Sequence, residues 1–138
     1  PSVTEALLLN ISEGASDIYA EIIGDHATEL QWDRNYEVQV GRGSETRSFA
    51  QLSGGEQMSA ALAVRLALLK EMSGVDFAFF DEPTQNLDSE RRTNLADQLR
   101  HVSGFQQLIV ISHDDSFEHH TDNVIRLRKV QEATQVEM

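Results

Sequence analysis

Three groups of residues in this chain could do chemistry. The first is Leu52-Ser53-Gly54-Gly55-Glu56-Gln57, a glycine pair that opens a strongly apolar segment. If that segment is a helix, its first backbone N–H groups have no intrahelical partner and sit at the positive end of the helix dipole, which suits a phosphate. The second is Phe79-Phe80-Asp81-Glu82-Pro83, an apolar run ending in adjacent carboxylates. One carboxylate can hold a water on a divalent metal while the other acts as a general base. An acidic pair before a proline is also ordinary turn chemistry, so the company it keeps decides the reading. The third group is Ser112-His113-Asp114, which follows another apolar run, and His113 there can donate to a phosphate. Phosphoryl transfer requires mainly positioning and charge neutralisation, and these three groups supply its parts.

The elements that must position them read as follows. A buried strand is expected from Val75 to Phe80, a helix from Ser89 to Val102 with Leu95 and Leu99 on one face, and a second buried strand from Gln107 to Ser112. Strand, helix, strand at this spacing is a βαβ unit with parallel strands. Asp81, Glu82 and His113 then fall together at the carboxyl edge, where open α/β sheets bind ligands. Asp81 and Glu82, as neighbours on a strand, should point in opposite directions. The helix of the glycine pair is expected from about Gly55 to Met72, apolar on most of its circumference. Arg65 is its only charge between Glu56 and Lys70, and either finds an ion-pair partner or acts as a switch toward a neighbouring lobe.

Upstream, Ser2-Val3-Thr4-Glu5 reads as a capping box. Val3, Leu7, Ile11, Ala15, Ile18 and Ile22 recur at helical steps, giving an amphipathic helix of about six turns that ends near Gly24. It either packs on its own domain or is the last part of a coiled coil entering a globular head. From Glu29 the period changes to two. Leu30 and Trp32, then Tyr36, Val38 and Val40, make a hairpin about Asp33-Arg34-Asn35. Gly41 to Ser44 reads as a second turn, with a short strand around Thr46 to Phe49. Downstream, Asp114 to His120 is a short polar turn or helix, Asn123 to Leu127 a last strand, and the stretch from Gln131 a polar tail. The chain thus divides into an N-terminal helix at 1–25, a body at 26–130, and a tail at 131–138.

Composition narrows the classes. The 138 residues are 40% hydrophobic and 25% charged, ordinary for a globular domain. Without cysteine there is neither a disulfide framework nor a thiolate metal site. No apolar run approaches the ~20 residues of a membrane helix, and no secretion signal opens the chain, so a cytoplasmic location is expected. The net charge of −12 makes the chain a poor general ligand for nucleic acid. A DNA contact would need a local basic patch or a second chain. Arg126, Arg128 and Lys129 are the best basic cluster, although an ordinary edge strand accounts for them. Glu118, His119, His120 and Asp122 fit no metal-binding spacing and read as solvated turn residues. The chain starts at Pro1 without an initiator methionine, which suggests trimming or excision from something longer.

From about Phe49 to Leu127, roughly half the chain, the order and spacing of Leu52-Ser53-Gly54-Gly55-Glu56-Gln57, Asp81-Glu82-Pro83-Thr84, Asn86-Leu87-Asp88 and Ser112-His113-Asp114 resemble the ABC ATPase superfamily. The likeness is to the C-terminal half of the ATPase head in the SMC-like DNA-repair proteins, the SbcC and RAD-fifty family. That resemblance implies an α/β fold, the C-terminal lobe of an ABC-type head, with a parallel sheet, flanking helices, a coiled-coil-like N-terminal helix and a β-hairpin. Under it, residues 1–25 become the end of a coiled coil entering the head and 26–130 the C-terminal ATPase lobe. It implies ATP and Mg²⁺ as cofactors. Ser53, Gly54, Gly55 and Gln57 would form the signature motif that binds ATP held by the opposite subunit. Asp81 would serve Mg²⁺, Glu82 would be the base and His113 the γ-phosphate sensor, with Asn86 and Asp88 in the D-loop. Asp88 can at the same time be the N-cap of the following helix.

The implied partners are an N-terminal lobe carrying the phosphate loop, a second head that dimerises on ATP, an SbcD-type nuclease and double-stranded DNA. The implied location is cytoplasm or nucleoid, or the nucleus in a eukaryote. Two departures stand out. No Gly-x-x-x-x-Gly-Lys-Ser/Thr pattern occurs anywhere in the chain, and Gln57 stands where many relatives carry arginine. The competing expectations are a transporter's nucleotide-binding domain and a non-hydrolysing scaffold. Met58-Ser59-Ala60-Ala61 lacks the glutamine- and arginine-rich continuation of the first, and a scaffold has no use for Glu82 and His113.

Overall fold

A computed structural model describes residues 2–130 and 133–138. Helix α1 (Val3–Ile23) starts at the expected capping box, with Glu5 N–H donating to Ser2 Oγ and Ser2 N–H to Glu5 Oε2. It stops at Gly24, whose φ of 74° is left-handed and returns its N–H to Ala20 O. Ile11, Ala15, Ile18 and Tyr19 are buried, whereas Val3 and Leu9 near its start are exposed. The lower turns of α1 therefore belong to the core and the first turns leave it.

Strands β1 (Thr28–Trp32), β2 (Val38–Arg42) and β3 (Glu45–Ser48) form an antiparallel sheet in that order. Leu30 pairs with Val40, and both are buried against α1 and the following helix. The free edge of β1 is closed by two serines of α1. Ser12 Oγ accepts Trp32 N–H and donates to Trp32 O, both at 2.9 Å, and Ser16 Oγ accepts Leu30 N–H at 3.0 Å. Four helical residues rise about 6 Å and two strand residues about 6.6 Å, so serines at i and i+4 match strand positions at i and i+2. An edge that would otherwise offer unpaired backbone is thereby satisfied.

A 3-10 turn at Phe49–Gln51 leads into α2 (Gly54–Ser73). Small residues let α2 lie close to α1: Ala15, Ala60, Ala63 and Ala67 are almost fully buried, and a Cβ added at Gly14 would stand 3.6 Å from that of Ala67. Leu62 and Leu66 fill the space beside them, each stabilising the fold by about 1.5–3 kcal/mol through burial.

The βαβ unit is present as expected. β4 (Phe77–Asp81) and β5 (Gln107–Ile111) run parallel with Asp81 opposite Ile111, and α3 (Ser89–His101) connects them. At the far end Lys70 Nζ donates to Gly104 O at 2.8 Å and stands over the Phe105 ring, tying the end of α2 to the loop before β5. The two strands are not buried as expected. Ala78 faces the helices at 2% exposure, but Phe79 is 61% and Ile111 53% exposed. A two-stranded sheet packed on one side leaves its other apolar face in water, although parallel sheets normally have both faces covered.

Two further expectations shift. The last strand expected at Asn123–Leu127 is β6 (Arg126–Val130), three residues later, because Thr121 to Ile125 follow the 3-10 turn Asp115–His120 without forming a strand. The expected polar tail contains β7 (Ala133–Glu137), antiparallel to β6, with Leu127 opposite Val136. Gln131 and Glu132, also assigned to that tail, lie outside the described residues, as does Pro1. Among the described residues no helix is long and apolar enough to cross a membrane.

Candidate functional site

The N-terminus of α2 is built by a second capping box, Ser53-x-x-Glu56. Ser53 Oγ accepts Glu56 N–H at 3.3 Å, and Glu56 Oε2 accepts Ser53 N–H at 2.8 Å. Ser53, Gly54 and Gly55 are exposed, so their backbone and the Ser53 hydroxyl face solvent at the positive end of a 20-residue helix. Glu56 is also gripped by Arg47 of β3, with Nη2 at 2.7 Å from Oε1 and Nη1 at 3.3 Å from Oε2. That pairing, with the Ser53 N–H, pulls the carboxyl down to about 2. Gln57 Nε2 donates to Phe49 O at 3.0 Å, fastening the first turn to the chain that enters it.

At the carboxyl edge of the parallel strands, Asp81 ends β4 and is exposed. Glu82 leaves the strand with φ 48°, while its N–H still donates to Ile111 O at 2.8 Å. Glu82 has thus left the strand, so strand alternation does not govern its direction relative to Asp81. A left-handed backbone is unfavourable for glutamate by roughly 1–2 kcal/mol, and such strain concentrates at functional sites. The turn brings Glu82 Oε2 to 2.8 Å from His113 Nδ1. The two atoms are within ion-pair distance, and among the described residues no other side-chain or backbone donor reaches Oε2. Hydrogen bonding to and attraction by Glu82 raise the pKa of His113 above its ordinary 6.5. Glu82 and His113, 31 residues apart in sequence, are thus a contact pair.

Behind them lies a contact that the sequence reading did not assign. Thr84, 2% exposed, donates through Oγ1 to Asp114 Oδ2 at 2.6 Å. Asp114 also accepts Ser116 N–H at 2.9 Å, and hydrogen bonds from Ser116 and then Thr84 hold its carboxyl down at about 2. This strut joins the loop after β4 to the loop after β5, and so fixes the spacing of Glu82 and His113. Both residues lie inside the quoted motifs; a threonine following Asp-Glu-Pro was the available signal.

The next loop carries Asn86 with φ 66° and ends at Asp88, which caps α3 by accepting Arg91 N–H at 2.9 Å. The Arg91 guanidinium lies 3.7 Å from Asp88 Oδ2, and a Cβ built on Gly54 would lie 3.6 Å from its Nη2. Arg91, also unassigned from sequence, therefore connects Asp88 with the glycine pair. Arg65 is exposed at the rim of a shallow groove with Tyr36, Val38, Phe49 and Val64. Among the described residues no carboxylate lies within ion-pair distance of it, so the ion-pair expectation does not hold. The basic cluster of β6 is partly neutralised, Arg126 by Glu118 at 2.8 Å and Arg128 by Glu137 at 3.2 Å.

No group of three or more His, Asp or Glu side chains converges as a metal site among the described residues. Mg²⁺ does not require one, since it is commonly held by one or two carboxylates, waters and substrate phosphates. Asp81, exposed at the strand end, fits as such a single carboxylate. The arrangement can therefore receive an anion at α2 and orient a water at Glu82, with His113 beside it.

Comparison with known proteins identifies relatives of the chain. Residues 7–136 match the model of the RecF/RecN/SMC N-terminal domain family. Over 138 aligned positions, 90% of the chain is 36% identical to a DNA double-strand break repair Rad50 ATPase of Pyrococcus abyssi, covering 15% of that protein. Over 89 residues, 63% of the chain is 45% identical to the corresponding ATPase of Sulfurisphaera tokodaii, covering 10% of it. The chain thus spans only a small part of the relatives it matches. A solved chain described under the structural biochemistry of ATP-driven dimerization and DNA-stimulated activation of SMC ATPases superposes with a TM-score of 0.68 at 23% identity. The match covers 98% of this chain and 86% of that one, so a separate chain of similar span adopts this fold.

Proposed function

This chain belongs to the RecF/RecN/SMC N-terminal domain family, and from that premise we propose that it is the C-terminal half of an ATP-hydrolysing head acting in DNA double-strand-break repair. The observation that carries the reading is the meeting of Glu82 and His113 across the ends of β4 and β5, 2.8 Å apart, with Glu82 held in a left-handed turn. The uncovered apolar face of the same strands supports a complementary half, the N-terminal lobe bearing the phosphate loop that this sequence lacks. The first turns of α1, whose Val3 and Leu9 are exposed, suit the end of a coiled coil entering the head.

In this reading two heads close around two ATP molecules. The Ser53 hydroxyl accepts the Glu56 N–H, leaving its own proton to donate to the γ-phosphate of the nucleotide on the opposite head, together with the N–H groups of the glycine pair. Glu82 takes a proton from the attacking water as the water oxygen bonds to the γ-phosphorus and the bond to the ADP leaving oxygen breaks, giving ADP and inorganic phosphate. His113, when protonated, places positive charge beside Glu82 and is placed to donate to the γ-phosphate. Mg²⁺, with Asp81 as its protein carboxylate, would neutralise charge on the phosphates. Asn86 and Asp88 approach the dimer axis, and Arg65, free of an ion pair among the described residues, is available as a switch. DNA and an SbcD-type nuclease are the proposed partners of the whole assembly. With a net charge of −12, this chain leaves most of the phosphate contacts to the other half.

The test is Glu82→Gln in the assembled head. Loss of at least a hundredfold in turnover with ATP-driven dimerisation retained is expected of a lost general base. Hydrolysis within tenfold of the unsubstituted head would remove Glu82 from that role.

A further inference from the structure

We propose that Arg47 on β3 is a positioning residue for the phosphate-binding end of α2, acting by neutralising and aiming Glu56. The proposal rests on the reading of Ser53 to Gly55 as the contact to the opposite head's nucleotide. A capping-box glutamate stabilises a helix start, but here the carboxylate stands in the first turn of the helix whose end must receive a phosphate. A second anion close by works against that binding. Lowering of the Glu56 pKa means that the carboxylate does not escape the conflict by taking up a proton near neutral pH.

The geometry resolves the conflict. Both Glu56 oxygens are taken by the Arg47 fork, and only Oε2 also serves Ser53 N–H. Bidentate pairing fixes the carboxylate plane as well as its charge. Tyr19, 1% exposed, has its pKa raised by burial and then by the Glu56 charge. On the other side of the turn Gln57 holds Phe49 O. The strand carrying Arg47 exposes all four of its side chains, so Arg47 contributes to this clasp and not to the core. The three-stranded sheet thereby does more than cover α1: through one exposed side chain it sets the electrostatics of the signature turn.

The experiment uses the complete protein, with its phosphate-loop half, and follows ATP-driven head dimerisation by sedimentation alongside nucleotide binding to the monomeric head. Arg47→Ala should raise the ATP concentration for half-maximal dimerisation about tenfold, from the unpaired Glu56 charge facing phosphate, without changing nucleotide binding to the monomer. Arg47→Lys should fall between. Adding Glu56→Gln to Arg47→Ala, which keeps an acceptor for Ser53 N–H but removes the charge, should restore dimerisation to within about threefold of wild type. A double variant as weak as Arg47→Ala, or weaker, would make the clasp purely structural and overturn the proposal. Unaltered dimerisation of Arg47→Ala would do the same. If the unsubstituted protein binds ATP and never dimerises, the trans-nucleotide reading itself fails, and the proposal with it.

Discussion

Thr84→Val removes one hydroxyl and little else, and it probes the strut that spaces the loops after β4 and β5. Thr84 is almost fully buried and its hydroxyl donates to Asp114 at 2.6 Å. The donors around Asp114 bring its pKa from the ordinary 3.8 to about 2. That gap of roughly 2 units corresponds to about 2.5 kcal/mol shared among all of them. Ser116 is the largest contributor and Thr84 the next, and partial solvation screens each, leaving about 1 kcal/mol for the Thr84 hydroxyl. Because the folded pKa is depressed, this stabilisation is present above pH 3.8 and is lost as pH falls through about 2. Urea unfolding of wild type and Thr84→Val at a series of pH values is the assay. A difference of about 1 kcal/mol at pH 7, shrinking below pH 4 at unchanged denaturant slope, is expected. No difference at pH 7, or one that persists undiminished at pH 2, would refute the reasoning.

Glu82→Gln should return the His113 titration toward its ordinary 6.5, read by NMR of the imidazole. The raised value means that the pairing is complete below the ordinary histidine pKa and is lost as pH rises through the folded one; an unmoved titration would dissolve the pair. Ser53→Arg should abolish ATP-driven dimerisation by setting a bulky cation against the opposing head. A variant that still dimerises on sedimentation with ATP would contradict the trans assignment.

The parts of the fold that obey a period or a local signal were readable from sequence. The capping box at Ser2, the stop at Gly24, the hairpin about residues 33–35 and the βαβ unit all follow from such signals. Side-chain partnerships across elements were not, because no periodicity encodes them: Ser12 and Ser16 closing the β1 edge, Arg47 reaching Glu56, Thr84 reaching Asp114. The exposure of β4 and β5 departs from the sequence expectation for a different reason. An apolar strand is selected for the environment of the finished protein, and Phe79 and Ile111 are exposed with only this chain around them. The convergence of Glu82 and His113 followed from parallel topology alone. The left-handed turn that produces it did not, because glutamate is not a residue from which positive φ is expected.

The central claim is that this chain supplies the base and the signature while another half supplies the phosphate loop. ATP turnover of the chain alone, and then mixed with an N-terminal half carrying that loop, tests it most directly. No turnover alone and hydrolysis on mixing, abolished by Glu82→Gln, is the predicted result. Turnover by the chain alone would contradict the account, since nucleotide would then be held and hydrolysed without the missing half.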